Sequence, residues 1–217
     1  MKISSFSKSY GSRTVLRFPD LELPDGCITA VIGPNGSGKS TLARVLAGIE
    51  RSDQKCPLLT TLSVGYMPQK SYAFRMSVAR NLALNGSDAG RREKLLRSLQ
   101  IEALSRQSAR RLSGGETAKM ALARLLMRDY DLLILDEPTA AMDVESTLAA
   151  ETLLSDYCRD TGAGILLATH SLQQARRIAQ HVLFLHQGEL REQGAASRLL
   201  SSPGTEELRR FLEFYGI

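Results

Sequence analysis

Nine consecutive residues, Gly33-Pro34-Asn35-Gly36-Ser37-Gly38-Lys39-Ser40-Thr41, have the composition of a turn that wraps a chain of phosphates. A loop that encloses a polyphosphate with its own backbone N–H groups needs positions without a Cβ, and Gly33, Gly36 and Gly38 supply them. Lys39 is spaced to reach the outer phosphates, and the Ser40 hydroxyl is a ligand for Mg²⁺. The apolar run 27–32 stops at Gly33 and the helix-forming run 42–47 follows Thr41, so the helix N-terminus adds its positive end to the site. A glycine-rich turn that binds nothing is the competing reading. All four fixed positions of the pattern fall at a strand–helix junction, which favours nucleotide binding.

Further groups that could carry chemistry stand elsewhere along the chain. The apolar run 131–135 terminates in Asp136-Glu137-Pro138-Thr139. At the carboxyl edge of a parallel sheet this pair lies beside the phosphate loop, with Asp136 suited to hold Mg²⁺ and Glu137 to orient or deprotonate a water. His170 follows the apolar run 164–169 and reaches the same edge, where it suits a contact to the outermost phosphate. Leu112-Ser113-Gly114-Gly115-Glu116 opens a helix expected over 117–127, and two readings stay open: a plain capping box between Ser113 and Glu116, or a second anion site. Tyr10, in a turn well before the phosphate loop, is either surface packing or a platform for a purine ring.

The elements that must position these groups follow from the pattern. Residues 3–6, 15–18 and 27–32 read as strands separated by Tyr10-Gly11-Ser12 and Leu23-Pro24-Asp25-Gly26, an antiparallel lead-in to the phosphate-loop strand. Residues 48–61 are irregular, and 62–67 form another strand ending at Pro68-Gln69. From 77 to 111 the spacing of apolar residues turns helical, with a break at Asn85-Gly86-Ser87. Residues 182–185 and 189–191 make a hairpin around Gln187-Gly188, and short helices near 195–200 and 206–214 complete the chain.

Composition sets the outer limits. With 217 residues, 43% hydrophobic and 24% charged, the chain suits one well-cored domain. No apolar run approaches the roughly 18 residues of a membrane-spanning helix, and the first ten residues are too polar for a signal-peptide core, so a cytosolic location is expected. Cys27, Cys56 and Cys158 are scattered and are expected as reduced thiols. The net charge is +5, but the basic residues are dispersed, and no nucleic-acid partner is expected.

Taken together, these residues resemble an ATP-binding cassette (ABC) ATPase subunit, over essentially the whole chain. The similarity is carried by the phosphate loop 33–41, a Q-loop at Gln69, a signature at 112–116, a Walker B strand at 132–136 with Glu137, a D-loop at Ala141-Met142-Asp143 and a switch His170. It implies an α/β P-loop NTPase fold: a RecA-like, mostly parallel core sheet, an N-terminal antiparallel β region, and a helical subdomain at about 71–111 inserted in a single domain spanning 1–217. It implies a head-to-tail dimer, expected to be a homodimer, in which ATP on Gly33, Pro34, Asn35, Gly36, Ser37, Gly38, Lys39, Ser40, Thr41 and Gln69 of one copy is capped by Ser113, Gly114 and Gly115 of the other.

By the same resemblance, Mg²⁺ sits among Ser40, Gln69 and Asp136, and Glu137, Gln69 and His170 are the catalytic set. Tyr10 falls at the position that stacks on adenine. The partners implied are transmembrane permease subunits and an extracytoplasmic solute-binding protein, with this chain peripheral on the inner face of the membrane. Tyr72, Phe74 and Met76 are candidates for the permease contact. Importers of small solutes are the nearest group, with a tungstate-type oxyanion the first expected cargo and a polar amino acid the second. A soluble, non-transport ABC ATPase and a small-molecule kinase are the alternatives; the kinase does not need 112–116 or His170.

Three features depart from the family pattern. The interval from Thr41 to Gln69 is short, so a reduced antiparallel region is expected there. Lys119 stands where an arginine is usual, keeping the charge but not the bidentate geometry. No regulatory domain follows the final helices within this sequence.

Overall fold

Three of the apolar runs, Ile-Thr-Ala-Val-Ile, Leu-Leu-Ile-Leu-Asp and Gly-Ile-Leu-Leu-Ala, are buried at every position, the mark of parallel strands covered on both faces. The computed structural model of the chain describes residues 1–54 and 61–215. Its strands are β1 (Lys2–Ile3), β2 (Phe6–Tyr10), β3 (Arg13–Phe18), β4 (Leu21–Glu22), β5 (Ile28–Ile32), β6 (Val64–Met67), β7 (Leu132–Asp136), β8 (Gly164–Ala168), β9 (His181–His186) and β10 (Glu189–Ala195). The helices are α1 (Lys39–Leu46), α2 (Val78–Ala83), α3 (Ala89–Ser98), α4 (Gly114–Leu125), α5 (Val144–Thr161), α6 (Leu172–Ile178), α7 (Ala196–Leu199) and α8 (Glu206–Phe214), with 3₁₀ turns at Glu102–Leu104 and Ala109–Arg111.

Among the described residues, eight strands form one sheet in the order β2-β3-β10-β9-β5-β8-β7-β6. From β9 to β6 all neighbours are parallel, while β2 pairs antiparallel with β3 and β10 antiparallel with β9. The expected mostly parallel core with an antiparallel N-terminal region is therefore present. Alternation along the strands splits the core: Leu133 and Leu135 face α2–α5, whereas Leu132 and Ile134 face α1 and the N-terminal strands. A third cluster places Ala30, Ile32 and Phe184 against α6, α7 and α8. Each fully buried leucine of this kind contributes about 1.5–3 kcal/mol, which makes the sheet a rigid base for the loops at its carboxyl edge.

Several local expectations change. The single strand read at 3–6 is broken: β1 pairs with β4 in a separate two-stranded sheet, and β2 starts at Phe6. The exposed Ser5 turns its N–H to the Asp20 carboxylate (2.9 Å), ending one strand before the next begins. The sequence reading assigned no helix to 144–161 or 172–178. In α5 the signals are local: Asp143 caps the Ser146 N–H at 2.7 Å, and Gly162 closes the helix with a φ of 72°. The hairpin arm β10 runs on to Ala195, past a register shift between Leu190 and Glu192. Gln187 and Gly188 both have positive φ (50° and 79°), as a two-residue hairpin turn requires. Cys27 and Cys158 are free thiols, while Cys56 lies outside the described residues.

Candidate functional site

The phosphate loop is held between β5 and α1 by backbone that tolerates no side chain at its first residue. Gly33 has a φ of 149°, and a Cβ there would lie 2.0 Å from the Leu185 carbonyl oxygen. The Lys39 ammonium turns back onto the loop, donating to the carbonyls of Gly33 (2.8 Å) and Pro34 (3.1 Å). Burial pushes its pKa down, and Glu137 and Asp136 oppose that shift. Ser37 Oγ is buried in the same loop with no hydrogen-bond partner among the described residues.

Asp136 ends β7 only 2% exposed, its carboxylate accepting a 3.0 Å hydrogen bond from Ser40 Oγ. Desolvation raises its pKa, with the Ser40 bond and the charges of Arg44 and Lys39 working against the rise. Glu137, the next residue, leaves the strand in the left-handed region (φ 51°), uncommon without glycine, and its N–H donates to the Ala168 carbonyl of β8 (2.8 Å). That backbone bond swings its carboxylate across the strand ends, where Oε2 lies 3.1 Å from Gln69 Nε2 and 3.0 Å from His170 Nδ1. The ends of β6, β7 and β8 thus place Gln69, Glu137 and His170 around one oxygen, and Ser40, from the phosphate-loop helix, bonds the adjacent Asp136.

The donor set fits Mg²⁺. A hydroxyl, a buried carboxylate and an amide are hard ligands, and Mg²⁺ needs only one or two such groups beside water and phosphate oxygens. Within the described residues no cluster of three or more His, Cys, Asp or Glu forms a self-sufficient metal cage.

The serine-glycine-glycine corner opens α4. Ser113 caps α4, accepting from the Glu116 N–H (3.3 Å) while its own N–H donates to Glu116 Oε2 (2.7 Å), so the capping box is real. These bonds hold the Glu116 carboxyl below the usual range. The corner packs on the D-loop of its own chain: a Cβ on Gly115 would lie 2.8 Å from the Ala141 carbonyl oxygen. The bonds that Ser113 makes stay within its own helix turn, whereas those of Lys39, Asp136 and Glu137 stay at the sheet edge.

Tyr10 ends β2 half-exposed, its hydroxyl bonded to Glu50 and the Lys8 ammonium 4.8 Å from its ring centroid. The Glu50 bond raises its pKa, and Thr41 of the phosphate loop and Arg44 pull it back. Sequence reasoning missed Glu50 and Arg44, since a charged pair six residues apart across a helix end matches no helical spacing.

It also missed Arg124 and Asn81. Arg124 donates to the Tyr72 carbonyl (2.9 Å) and to Asn81 Oδ1 (3.1 Å), and lies 5.0 Å from the Phe74 ring. Asn81, fully buried, holds both the N–H and the carbonyl of Phe74. The segment after Gln69 is thereby fixed to α2 and α4. Tyr72, Phe74 and Leu84 remain exposed at 68%, 49% and 54%, beside a hollow of about 340 Å³ that is also lined by Arg124 and Tyr130. A larger hollow, about 690 Å³, lies between α3 and α5, away from the residues above.

Comparison with known proteins gives a consistent family. The ABC transporter family model matches residues 16–140. The chain is 38% identical over 207 residues to the ATP-binding protein of the tungstate uptake system of Peptoclostridium acidaminophilum, covering 88% of this chain and 96% of that one. It is 32% identical to a phosphate import ATP-binding protein of Natronomonas pharaonis (98% and 86% covered) and 36% identical to a zinc import ATP-binding protein of Chelativorans (88% and 69%). In fold it matches a solved ATP-binding subunit of an ABC transporter with a TM-score of 0.84, at 23% identity and 98% coverage of both chains.

Proposed function

The chain belongs to the ABC transporter family as an ATP-binding subunit of importer type, hydrolysing ATP for transport, and on that premise we propose that its catalytic unit is a pair of copies sharing two sites. The observation that carries this is the division of the site residues. Lys39, Ser40, Gln69, Asp136, Glu137 and His170 converge at one sheet edge, while Ser113, Gly114 and Gly115 form the N-terminus of α4, bonded within its own turn and packed on Ala141. A head-to-tail pair brings the second group of each copy over the first group of the other, and closed two-fold symmetry completes both sites.

Residues 33–41 and Gln69 bind the triphosphate, with Lys39 exchanging its carbonyl partners for phosphate oxygens. Ser40, Gln69 and Asp136 would hold Mg²⁺, which would neutralise negative charge on the triphosphate. Glu137 orients and deprotonates the attacking water. His170 and Gln69, both on Oε2, fix the carboxylate's direction, and His170 supports the outermost phosphate. The family match leaves the kinase alternative without support.

Residues 71–111 act as an inserted helical subdomain, and the exposed Tyr72 and Phe74, joined by Leu84 in place of the partly buried Met76, form the permease contact around their hollow. Within the described residues no helix is long and apolar enough to cross a membrane, in keeping with a peripheral position on the inner face. The cargo we propose is a tungstate-type oxyanion delivered by an extracytoplasmic binding protein, a reading supported by the 38% identical relative. The relatives named for phosphate and zinc import mark the competing classes. Co-reconstitution with the permease and binding protein isolated together with this chain tests it. Tungstate is expected to stimulate ATP hydrolysis where zinc and phosphate do not; stimulation by zinc alone would overturn the assignment.

A further inference from the structure

The aromatic platform at Tyr10 is tied to the phosphate-loop helix by residues with no assigned role. Among the described residues β2 is the outer strand of the eight-stranded sheet, and residues 50–54 bond along its free edge. Asp53 accepts from the Ser9 N–H (3.0 Å) and from the hydroxyls of Ser7 (2.8 Å) and Ser9 (2.9 Å), and its own N–H donates to the Ser7 carbonyl (2.9 Å). Gln54 Oε1 takes the Ser7 N–H at 2.7 Å, and Lys8 Nζ donates to the Arg51 carbonyl at 2.9 Å. Segment 50–54 is thereby strapped along β2.

The strap begins at Glu50. One of its oxygens receives the Tyr10 hydroxyl, and the other receives Arg44 Nη1 (3.0 Å) from the last turn of α1, the helix that Lys39 opens. The Lys8 ammonium lies against the Tyr10 ring and 3.9 Å from Glu50. The ring is thus fixed by its hydroxyl and contacted by a cation, and still 46% of the residue is exposed to receive a flat partner.

We infer that Glu50, backed by Asp53, is a positioning residue that sets the Tyr10 ring at a fixed offset from the phosphate loop, so that base and triphosphate are bound together without reordering the tyrosine. The inference rests on the reading of Tyr10 as the adenine platform. Immobilising a free side chain on binding costs on the order of two- to tenfold in affinity, and stacking on one aromatic ring is worth on the order of tenfold or more.

The test compares ATP with inorganic tripolyphosphate, which carries the phosphates without the base, by titration calorimetry on the full chain with Mg²⁺. Tyr10→Ala is expected to weaken ATP about tenfold and to leave tripolyphosphate unchanged. Glu50→Ala is expected to weaken ATP about three- to tenfold, again without change for tripolyphosphate, and to add nothing in the Tyr10→Ala background. Glu50→Gln keeps an oxygen acceptor and should restore most of the loss, while Asp53→Ala should lose less than Glu50→Ala. Unchanged tripolyphosphate binding also certifies that each variant is folded. Equal loss for both ligands, additive losses in the double variant, or tighter ATP binding by Glu50→Ala would overturn the positioning role. An unchanged ATP affinity in Tyr10→Ala would instead remove the adenine platform itself, and the inference with it.

Discussion

Replacing Asp136 with asparagine should make the ligand-free fold more stable while removing its use for Mg²⁺. Asp136 is 2% exposed, and its carboxylate has the Ser40 hydroxyl as a hydrogen-bond donor; desolvation, with the neighbouring Glu137 charge, outweighs the help from Ser40, Arg44 and Lys39, and its pKa is raised. The sign follows from linkage. A raised folded-state pKa means a stabilising contribution that is present in acid and is lost as pH rises through that pKa, so at neutral pH the charged form opposes folding. The Asp136→Asn side chain would keep an oxygen for the Ser40 hydroxyl and remove the charge.

Relief of this kind at a functional site is worth on the order of 1 kcal/mol, or a Tm increase of about 2–4 °C for a chain of this size. Thermal or urea unfolding without nucleotide, at pH 7 and again in mild acid, reads it: the variant should be the more stable at pH 7, and the gap should close as pH falls. Mg²⁺-ATP should raise the Tm of the normal chain and hardly that of the variant. A variant destabilised by about 1 kcal/mol or more at pH 7 would refute the reasoning, because Ser40 and Lys39 would then hold the carboxylate better than water does.

Glu137→Gln preserves shape and the acceptor for Gln69 but not the base; kcat for phosphate release should fall about 10²–10⁴-fold with ATP affinity retained, and a variant within threefold of normal would remove Glu137 from the chemistry. Arg124→Ala releases Tyr72, Asn81 and the Phe74 ring together, so basal ATP hydrolysis should persist while stimulation by the permease drops several-fold; equal stimulation would place the partner contact elsewhere. Glu151, 3% exposed, accepts two 2.7 Å bonds from Arg177 and one from Gln174, joining α5 to α6. Its replacement by alanine should cost about 2 kcal/mol and lower Tm by about 4–8 °C, a loss that calorimetry would detect.

What could be seen beforehand divides along the range of the interactions. The phosphate loop, the buried strands and the Ser113–Glu116 capping box are local patterns, set by glycine φ, uninterrupted apolar runs and a three-residue spacing, and each stands where the sequence placed it. The α5 helix was equally local, signalled by Asp143 with Ser146 at one end, Gly162 at the other, and Ala150, Leu153, Leu154, Tyr157 and Cys158 at helical spacing between them, a signal the sequence reading left unused. The Glu50–Tyr10, Asp53–Ser9 and Arg124–Tyr72 contacts join residues 40 to 52 positions apart, and nothing in either segment specifies its partner. Residues 3–6 show the opposite failure: an apolar pair read as one strand, split because Asp20 takes the Ser5 N–H.

The claim that each site is built from two copies is tested most directly by mixing two crippled chains. Lys39→Ala spoils the phosphate loop and leaves the serine-glycine-glycine corner intact; Ser113→Arg does the reverse. In a mixed pair one site then receives a sound loop from one chain and a sound corner from the other. Random mixing in equal amounts is expected to recover about a quarter of the normal ATPase rate from two preparations that are each inactive. A mixture as inactive as its components, under conditions where mixed pairs are shown to form by cross-linking, would contradict the shared site.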